Sequence, residues 1–366
     1  MLFRRSLPAS WAPRRLLVVK PCCLGDGLMA TPTLAALGAR YDAAAIDVAV
    51  GRWARPAFLG SRRIGGTIDT GELLGGRRPA LRELMRVVGA IRRRAYDAAI
   101  VLERSLWLAL LPLLAGVPVR AGLDSGGRGL SHTLAVPVPK TARHEADLYL
   151  DCAARLGAPR LDPPRMEFVP DDAARAEASA RLDALGWRGE PFALLHPGGG
   201  SNPGMQLLSK RWPPERFAEI ARRLDAGGRR SLLVWSRADA EPARAVLSAG
   251  RAPASLLPLG PDLSFAGLAA VAERAGLYLG NDSGPTHLAL AVGVPTVAVF
   301  GPSDERRYGP YGRYGDGTPI GEAVAAPPLA PDAPAGSWPD RPVEAVTVEQ
   351  VWAAVERAAA KRAVRA

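Results

Sequence analysis

The chain has 366 residues, of which 48% are hydrophobic and 23% are charged, and its formal net charge is +11 at pH 7. This composition excludes a largely disordered chain, because enough apolar surface exists to offset the entropy lost on folding, and the length favours two domains. The positive charge indicates acidic partners such as phosphorylated substrates or anionic lipid, with an ordinary solvated surface as the alternative. Aromatic residues are only 6% and do not alternate with the arginine clusters, so we expect no nucleic-acid partner.

The cysteines and the longest apolar run bear on the compartment. Cys22, Cys23 and Cys152 lack metal-ligand spacing, and neighbouring cysteines rarely form a structural bridge, which suits a reducing compartment. The apolar run from Leu106 is shorter than the 18 or so residues of a spanning helix and contains Pro112. We therefore predict a cytoplasmic protein.

The N-terminus is basic but lacks the apolar region of a secretory signal. We predict a tail, with peripheral contact to the anionic inner face of the cytoplasmic membrane as the alternative. The residues that would make this contact are Leu2, Phe3, Arg4, Arg5, Trp11, Arg14 and Arg15.

Short apolar runs alternate with amphipathic stretches along the whole chain, which predicts βαβ units. In the first half, the predicted strands cover 14–20, 45–50, 65–70, 98–103 and 117–123, with helices over 80–94 and 144–157. In the second half, the predicted strands cover 191–198, 230–236, 255–260, 276–282 and 295–301, with helices over 213–224, 262–276 and 347–363. Residues 302–345 lose the periodicity and are predicted as a long loop.

The fold class that follows is α/β, with two Rossmann-like domains, parallel sheets and an interdomain cleft. We place an N-terminal domain over 1–170, a C-terminal domain over 171–345 and a C-terminal helix over 346–366. Ligands of such sheets bind at the carboxyl ends of the strands, where each of the following three motifs lies.

The first motif follows the first strand and opens a helix. Gly25, Gly27 and Ala30 are spaced as in a dinucleotide fingerprint, with Asp47 in place of the ribose acid. However, Asp26 would put a negative charge where the pyrophosphate lies, and Asp47 falls inside its strand. At the start of a helix, the Asp26 carboxylate is stabilised by the helix dipole, and it is either a base for a substrate hydroxyl or a helix cap.

The second motif is a glycine-rich loop with two polar residues, consisting of Gly198, Gly199, Gly200, Ser201 and Asn202. It is not a Walker A motif, because Lys210 lies too far along the chain. Even so, the loop, followed by Lys210 and Arg211 and then a helix, is a candidate diphosphate site, with a solvated loop as the alternative.

The third motif follows the strand that ends at Asp282. Ser283 and Gly284 turn the chain, and the N–H groups of Gly284, Thr286 and His287 are predicted to point at an anion while Asp282 accepts hydrogen bonds from hydroxyls. His287 is predicted to begin the helix, either as a ligand residue or as a hydrogen-bonded structural residue. A sugar phosphate would satisfy both kinds of group.

Taken together, these segments resemble glycosyltransferase family 9, the family of the bacterial ADP-heptose:lipopolysaccharide heptosyltransferases. The similarity is carried by LGDGLMATPTLAAL, by HPGGGSNPGMQLLSKRWPPERFAEIA and by GNDSGPTHLALAVGVPTVAVFGPSD. The segment RHEADLYLDCAARLG and the last helix also fall where the family has similar helices.

The resemblance implies a GT-B fold, with a glycan or glycolipid acceptor on the N-terminal domain and a nucleotide-sugar donor on the C-terminal one. It implies inversion at the anomeric carbon without a metal or other cofactor, with Asp26 as the base and Lys210 on the donor diphosphate. ADP-heptose is a candidate donor, and the acceptor would lie near Gly25 and Gly27. By position, the other donor-binding residues are Gly199, Gly200, Ser201, Asn202, Glu241 on the ribose, Leu263 with Ser264 near the nucleobase, Asp282, Ser283, Gly284, Thr286 and His287.

Two departures from the family pattern concern the donor. The sequence VWSRAD stands where the family often has a glycine pair, and the glycine loop is longer. The alternatives to a transferase are a sugar-nucleotide epimerase, which needs no acceptor, and a non-catalytic binder of anionic glycan.

Overall fold

The computed structural model describes residues 7–8, 10–71, 80–202, 205–250, 252–325, 327–330, 332–334, 336 and 340–363. Contacts divide the chain into two compact units, Met1–Pro164 and Arg165–Ala366. The sequence-based boundary at 170 lies six residues beyond this division. No helix among the described residues is long and apolar enough to cross a bilayer.

The first unit is built on one parallel sheet. Its strands are β1 Arg15–Val19, β2 Ala45–Val50, β3 Gly66–Asp69, β4 Ala98–Val101, β5 Val119–Asp124 and β6 Leu134–Pro137. Its helices are α1 Leu24–Met29, α2 Thr31–Arg40, α3 Pro56–Leu59, α4 Leu81–Arg93, α5 Leu106–Leu114 and α6 Glu145–Ala154. The strand order is β3-β2-β1-β4-β5-β6, and all neighbours are parallel. This order is that of a dinucleotide-binding Rossmann sheet.

Apolar spacing decides which face of each helix is buried in this unit. Helix α4 places Leu84, Val87, Val88 and Ile91 on one side, and these residues pack with the central strands in one core cluster. Asp47, within β2, accepts hydrogen bonds from Arg94 and Tyr96 beside that sheet. It is therefore a structural residue of the strand and not a ribose ligand.

The second unit repeats the plan. Its strands are β7 Phe192–His196, β8 Ser201–Asn202, β9 Met205–Gln206, β10 Arg230–Val234, β11 Leu256–Gly260, β12 Leu277–Asn281, β13 Thr296–Phe300 and β14 Gly321–Ala325. Its α-helices are α7 Asp172–Ala184, α8 Pro214–Ala226, α9 Ala240–Ser248, α10 Phe265–Arg274, α11 Gly284–Ala291, α12 Glu305–Tyr308 and α13 Val348–Ala363. Short 3-10 helices cover Leu208–Lys210, Arg237–Asp239 and Val343–Ala345.

The main sheet of this unit has the order β11-β10-β7-β12-β13-β14, and β8 and β9 form a separate antiparallel pair. Counted along the main sheet, this is again the 3-2-1-4-5-6 order of a Rossmann sheet. Helix α13, which the sequence set apart as a C-terminal element, contributes Val351, Ala354, Val355 and Ala358 to the core beneath the sheet. The α/β prediction with two Rossmann-like units is confirmed.

All ten strands predicted from the sequence are present, but the last strand of each main sheet was missed. Strand β6 was not predicted, and the prediction of a long loop over 302–345 is wrong, because that segment contains α12, β14 and the last 3-10 helix. Both missed strands lie at a sheet edge and are only partly buried, so they lack the long apolar run of the central strands.

Candidate active site

Both main sheets reverse their winding at one place, between the first strand and the fourth. Ligands of doubly wound sheets bind beyond the carboxyl ends of the strands at this switch point. In the first unit the switch point lies between β1 and β4, and in the second between β7 and β12. The side chains that follow these four strands form two polar clusters, one in each unit.

The cluster of the first unit is centred on a buried lysine. Lys20 directly follows β1, and its Nζ lies 2.6 Å from Oε1 of Glu103, just beyond β4, and 3.4 Å from Oδ1 of Asp26. The hydroxyl of Tyr149, on α6, donates to the same Asp26 oxygen at 3.4 Å. The Lys20 side chain is 3% exposed and that of Asp26 is 33% exposed, so the carboxylate meets solvent with a buried cation behind it.

Electrostatics keep this lysine charged. Burial alone lowers the pKa of Lys20, but the carboxylates of Asp26 and Glu103 more than offset it, and the pKa lies well above the usual value. Burial raises the pKa of Glu103, with Lys20 opposing the shift. Burial also raises the pKa of Tyr149 well above its usual value, so at neutral pH this hydroxyl remains a hydrogen-bond donor.

The loop that leads into α1 fixes the place of Asp26. The helix begins at Leu24, so its N-cap residue is Cys23 and Asp26 lies within the first turn. Asp26 is therefore not the cap of this helix. Gly27 is a packing position, because a Cβ there would lie 3.0 Å from that of Ala57 on α3, whereas Gly25 is partly exposed.

The prediction that the neighbouring cysteines remain unbridged is wrong. Cys22 and Cys23 lie in the short turn between β1 and α1 and are joined by a disulfide, whereas Cys152 is a buried free thiol. The turn brings the sulfur atoms of two adjacent residues together, and the spacing of cysteines in a sequence does not predict such a bridge. Cysteine content therefore no longer supports a reducing compartment.

In the second unit, Asn281 at the end of β12 holds three segments together. Its Nδ2 donates to the carbonyls of Pro197 and Gly198, and its Oδ1 accepts from the backbone N–H of Trp212. The fully buried Trp212 ring anchors the segment that carries Lys210. The glycine loop and the Lys210 segment are thus fixed to the strand that precedes Asp282.

Lys210 and Asp282 form a short ion pair, with Nζ 2.6 Å from Oδ2. His287 Nε2 lies 3.9 Å from the other carboxylate oxygen. Burial raises the pKa of Asp282, but Lys210 and His287 outweigh burial, so the net pKa is lowered and the group is an anion at neutral pH. The sequence predicted Lys210 as a phosphate ligand and Asp282 as an acceptor for hydroxyl groups. In the structure the two side chains are paired with each other.

Helix α11 begins at Gly284, three residues earlier than predicted, and this changes which amides are available. The N–H groups of Thr286 and His287 both donate to the carbonyl of Ser283, so the prediction that they point at an anion is wrong. In contrast, the N–H groups of Ser283 and Gly284 donate to no other described residue. Thr286 is structural, since its hydroxyl donates to the carbonyl of Asn281 at 2.5 Å.

The glycine loop is shaped by the side chains against which it packs. Gly199 has a φ of +114°, and a Cβ on it would lie 2.9 Å from that of Ser283. Its N–H donates to Asp239, and its carbonyl accepts from Arg211. Arg211 and Asp239 are themselves paired at 3.0 Å. Gly199 therefore lies against the start of α11.

Among the described residues, four other predicted donor residues make no hydrogen bond or ion pair to Lys210 or Asp282, namely Gly200, Ser201, Asn202 and Glu241. Ser201 and Asn202 are exposed in the β8–β9 pair. Gly200 packs against the backbone of that hairpin, where a Cβ would lie 2.3 Å from the carbonyl oxygen of Leu207. Glu241 is 81% exposed at the start of α9, and its carboxylate lies 4.0 Å from the guanidinium of Arg211, which donates to the glycine loop.

The two residues predicted near the nucleobase, Leu263 and Ser264, both contact other residues of the second unit. Leu263 is partly buried against a core cluster. Ser264 caps α10 by accepting from Gly267 and donates to Glu177, so it has a structural role.

Sequence reasoning missed Lys20, Glu103, Tyr149 and Asp239. Only the strand order places β1 beside β4, and hence Lys20 beside Glu103, because the two residues are 83 positions apart in sequence. A signal did exist, since each is a charged residue within two positions of the end of an apolar strand. No group of three His, Cys, Asp or Glu residues within the described ranges is arranged to hold a metal ion.

Comparison with known proteins now identifies the family. A sequence profile described as "Glycosyltransferase family 9 (heptosyltransferase)" matches residues 84–317, more than half of the chain. The chain belongs to glycosyltransferase family 9. Lipopolysaccharide heptosyltransferase 2 of Escherichia coli is 30% identical over 298 residues, covering 79% of this chain and 83% of that protein.

Solved structures agree with this family 9 assignment at the level of the fold. A glycosyltransferase family 9 protein from Veillonella parvula superposes with a TM-score of 0.77 at 20% identity, covering 95% of this chain and 97% of that one. The E. coli ADP-heptose lipopolysaccharide heptosyltransferase II gives a TM-score of 0.71 at 22% identity, covering 95% and 99%. The GT-B prediction is confirmed by these neighbours, and the protein is a glycosyltransferase.

Proposed function

We propose that this family 9 enzyme transfers a sugar, with inversion at the anomeric carbon, from a nucleoside-diphosphate sugar to a hydroxyl of a cell-envelope glycolipid. The names of similar proteins favour a heptose: one is a lipopolysaccharide heptosyltransferase and another an ADP-heptose lipopolysaccharide heptosyltransferase. ADP-heptose is accordingly the first donor to test, and a lipopolysaccharide precursor the first acceptor.

The first unit supplies the base in this proposal. The partly exposed Asp26 carboxylate accepts the proton of the acceptor hydroxyl, and that oxygen forms a bond to the anomeric carbon of the donor. Lys20 and Tyr149 hold Asp26 from the buried side, so its outer oxygen remains for the substrate. A positioned base of this kind typically contributes 10² to 10⁴-fold.

The second unit supplies the stabilisation of the leaving group. As the bond to the anomeric carbon breaks, its electron pair stays on the nucleoside diphosphate, and negative charge grows there. Lys210 and the two unbonded N–H groups of Ser283 and Gly284 at the start of α11 are suited to this charge. Such preorganised electrostatics usually make the larger contribution to catalysis.

Asp282 has two parts in the proposal. Its Oδ2 holds Lys210, and its Oδ1, facing His287, can accept hydroxyl groups of the sugar. Glu241 remains the candidate ribose ligand, because it follows β10, the strand beside β7, which is the position of the ribose acid in Rossmann folds.

The observation that carries the proposal is the Lys20–Asp26 arrangement. A carboxylate that is one-third exposed, lies at the switch point and is backed by a buried cation is arranged to act on something outside the protein. We also place the reaction at the cytoplasmic face of the membrane, in contact with anionic lipid, because a glycolipid acceptor would be found there.

The test is the release of nucleoside diphosphate with and without acceptor. ADP-, UDP-, GDP- and dTDP-sugars are first ranked by the rise in thermal midpoint that each produces, since a ligand of the folded state raises it. The best donor is then incubated with a heptose-deficient lipopolysaccharide precursor. Release that depends on the acceptor supports transfer, whereas turnover of the donor alone would indicate an epimerase, and binding without turnover a non-catalytic binder.

A further inference from the structure

A short stretch after β2 carries an exposed basic and apolar surface, which we call the 52–63 surface. Its two large apolar side chains, Trp53 and Leu59, are 49% and 68% exposed. Four arginines around them are also exposed, namely Arg52, Arg55, Arg62 and Arg63. The stretch therefore combines exposed apolar side chains with exposed positive charge.

The 52–63 surface is anchored by buried residues of the same stretch. Ala54, Ala57 and Phe58, from the same stretch, are buried. A Cβ on Gly27 would lie 3.0 Å from the Cβ of Ala57 and 3.2 Å from the ring of Phe58, so α3 packs directly on α1. The outward side chains are therefore held beside the helix that carries Asp26.

The charge of this surface is not neutralised by the protein. No Asp or Glu occurs in the sequence between Asp47 and Asp69. None of the four arginines forms an ion pair with a carboxylate within the described ranges. Other arginines of the same unit do form them: Arg94 pairs with Asp47 and Arg104 with Glu145. The 52–63 surface thus presents positive charge that is free for an external anion.

We propose that the 52–63 surface docks the enzyme on an anionic phospholipid membrane. Tryptophan is favoured at the membrane–water interface, leucine enters the acyl boundary, and arginines bind phosphate headgroups. The inference rests on the proposed function in one respect: a glycolipid acceptor lies in a membrane, and this surface adjoins the base helix.

The described part of the N-terminal tail fits this role less well. The ring of Trp11 packs edge-on against Tyr41, with 5.8 Å between centroids, and Arg15 pairs with Asp47. These side chains are already engaged within the unit. Leu2, Phe3, Arg4 and Arg5 lie outside the described residues.

Vesicle binding measures the proposal directly. The full-length protein is sedimented with vesicles of phosphatidylethanolamine and phosphatidylglycerol, and separately with pure phosphatidylcholine. We expect binding to the first only, weakened by high salt because exposed charges are screened. Arg52→Gln with Arg55→Gln should lower partitioning roughly 30-fold, since each arginine near an anionic surface contributes about fivefold. Trp53→Ser with Leu59→Ser should lower it at least about tenfold.

A matched variant controls for general effects of exposed residues. Leu114→Ser with Arg93→Gln removes an exposed leucine and an exposed arginine of the same unit, where Leu114 is 42% exposed. It should bind vesicles like the wild type. Equal binding by all variants, at unchanged thermal midpoints, would overturn the proposal.

Activity separates this inference from the proposed function. Toward an acceptor dissolved in detergent, the Trp53→Ser, Leu59→Ser variant should keep the wild-type kcat/KM, while losing activity on acceptor in vesicles. Equal loss in both assays would mean that the surface belongs to an acceptor pocket, and the membrane proposal would be wrong. Vesicle binding by a protein without any transfer activity would support the surface while contradicting the proposed function.

Discussion

Replacing Lys20 by methionine should lower kcat/KM about tenfold at neutral pH. In the proposed mechanism Asp26 is the base, and the buried Lys20 ammonium is the cation that holds its carboxylate. Without this ion pair the carboxylate loses its fixed place for the acceptor hydroxyl. Methionine keeps the length of the side chain and removes only its charge.

The magnitude follows from the distance between the two groups. Unit charges 3.4 Å apart interact by roughly 1.2 kcal/mol in water and about 5 kcal/mol at an effective dielectric of 20. Because Asp26 is 33% exposed, solvent screening puts the effective value near the lower figure. A loss of about tenfold in kcat/KM, corresponding to about 1.4 kcal/mol, is therefore expected.

Glu103 provides a variant that keeps the Lys20–Asp26 ion pair. Glu103→Gln removes the carboxylate that lies 2.6 Å from Lys20, and the lysine then serves Asp26 alone. This variant should keep the wild-type kcat/KM. Because Lys20→Met leaves the Glu103 carboxylate without its partner, the double variant Lys20→Met, Glu103→Gln serves as the folding control.

The assay is release of nucleoside diphosphate at limiting acceptor and neutral pH, with the thermal midpoint measured for each variant. Lys20→Met should lose activity, and Glu103→Gln should keep it. If both folded variants keep the wild-type kcat/KM, or lose it equally, Lys20 does not act on the base and the account of the first unit is wrong.

Three further predictions concern the second unit and whether transfer depends on a metal ion. Lys210→Met should weaken donor binding by roughly 10 to 100-fold in calorimetry, because a charged hydrogen bond to phosphate is lost; unchanged affinity would remove Lys210 from the diphosphate site. Gly198→Ala should lower the thermal midpoint by roughly 5 °C, since its Cβ would lie 2.2 Å from Cγ of Asp239. Gly227→Ala, whose new Cβ would have no contact closer than 3.4 Å, should change the thermal midpoint little. Equal midpoints for the two variants would show that the glycine loop rearranges to accommodate the added methyl group. Transfer should continue in excess EDTA, and loss that added Mg²⁺ restores would contradict metal-independent inversion.

How far the fold could be predicted depended on burial. Central strands such as β1 and β12 are covered on both faces and read as unbroken apolar runs. The edge strands β6 and β14 are half covered, contain Pro137 and Gly321, and give no such run. Strand order is not written in any local pattern, so the sequence could predict Rossmann-like halves without predicting which strand ends are neighbours.

The same distinction applies to the site. Asp26, Lys210 and Asp282 were found because each lies in a motif whose local spacing has chemical meaning. Lys20 and Glu103 become partners only through the pairing of β1 with β4. The N–H groups of Thr286 and His287 were misassigned because their availability depends on the exact residue at which α11 begins, whereas that of Gly284 was predicted correctly.

The central claim is that Asp26 is the base of a transfer reaction whose donor is held by the second unit. It is tested most directly by comparing Asp26→Asn with the wild type in two measurements, the dissociation constant for ADP-heptose and the rate of transfer to a lipopolysaccharide precursor. We predict donor affinity within about twofold of wild type and a transfer rate reduced by at least about 10²-fold. A folded Asp26→Asn enzyme that transfers at the wild-type rate, or that loses donor binding in equal measure, would contradict the account.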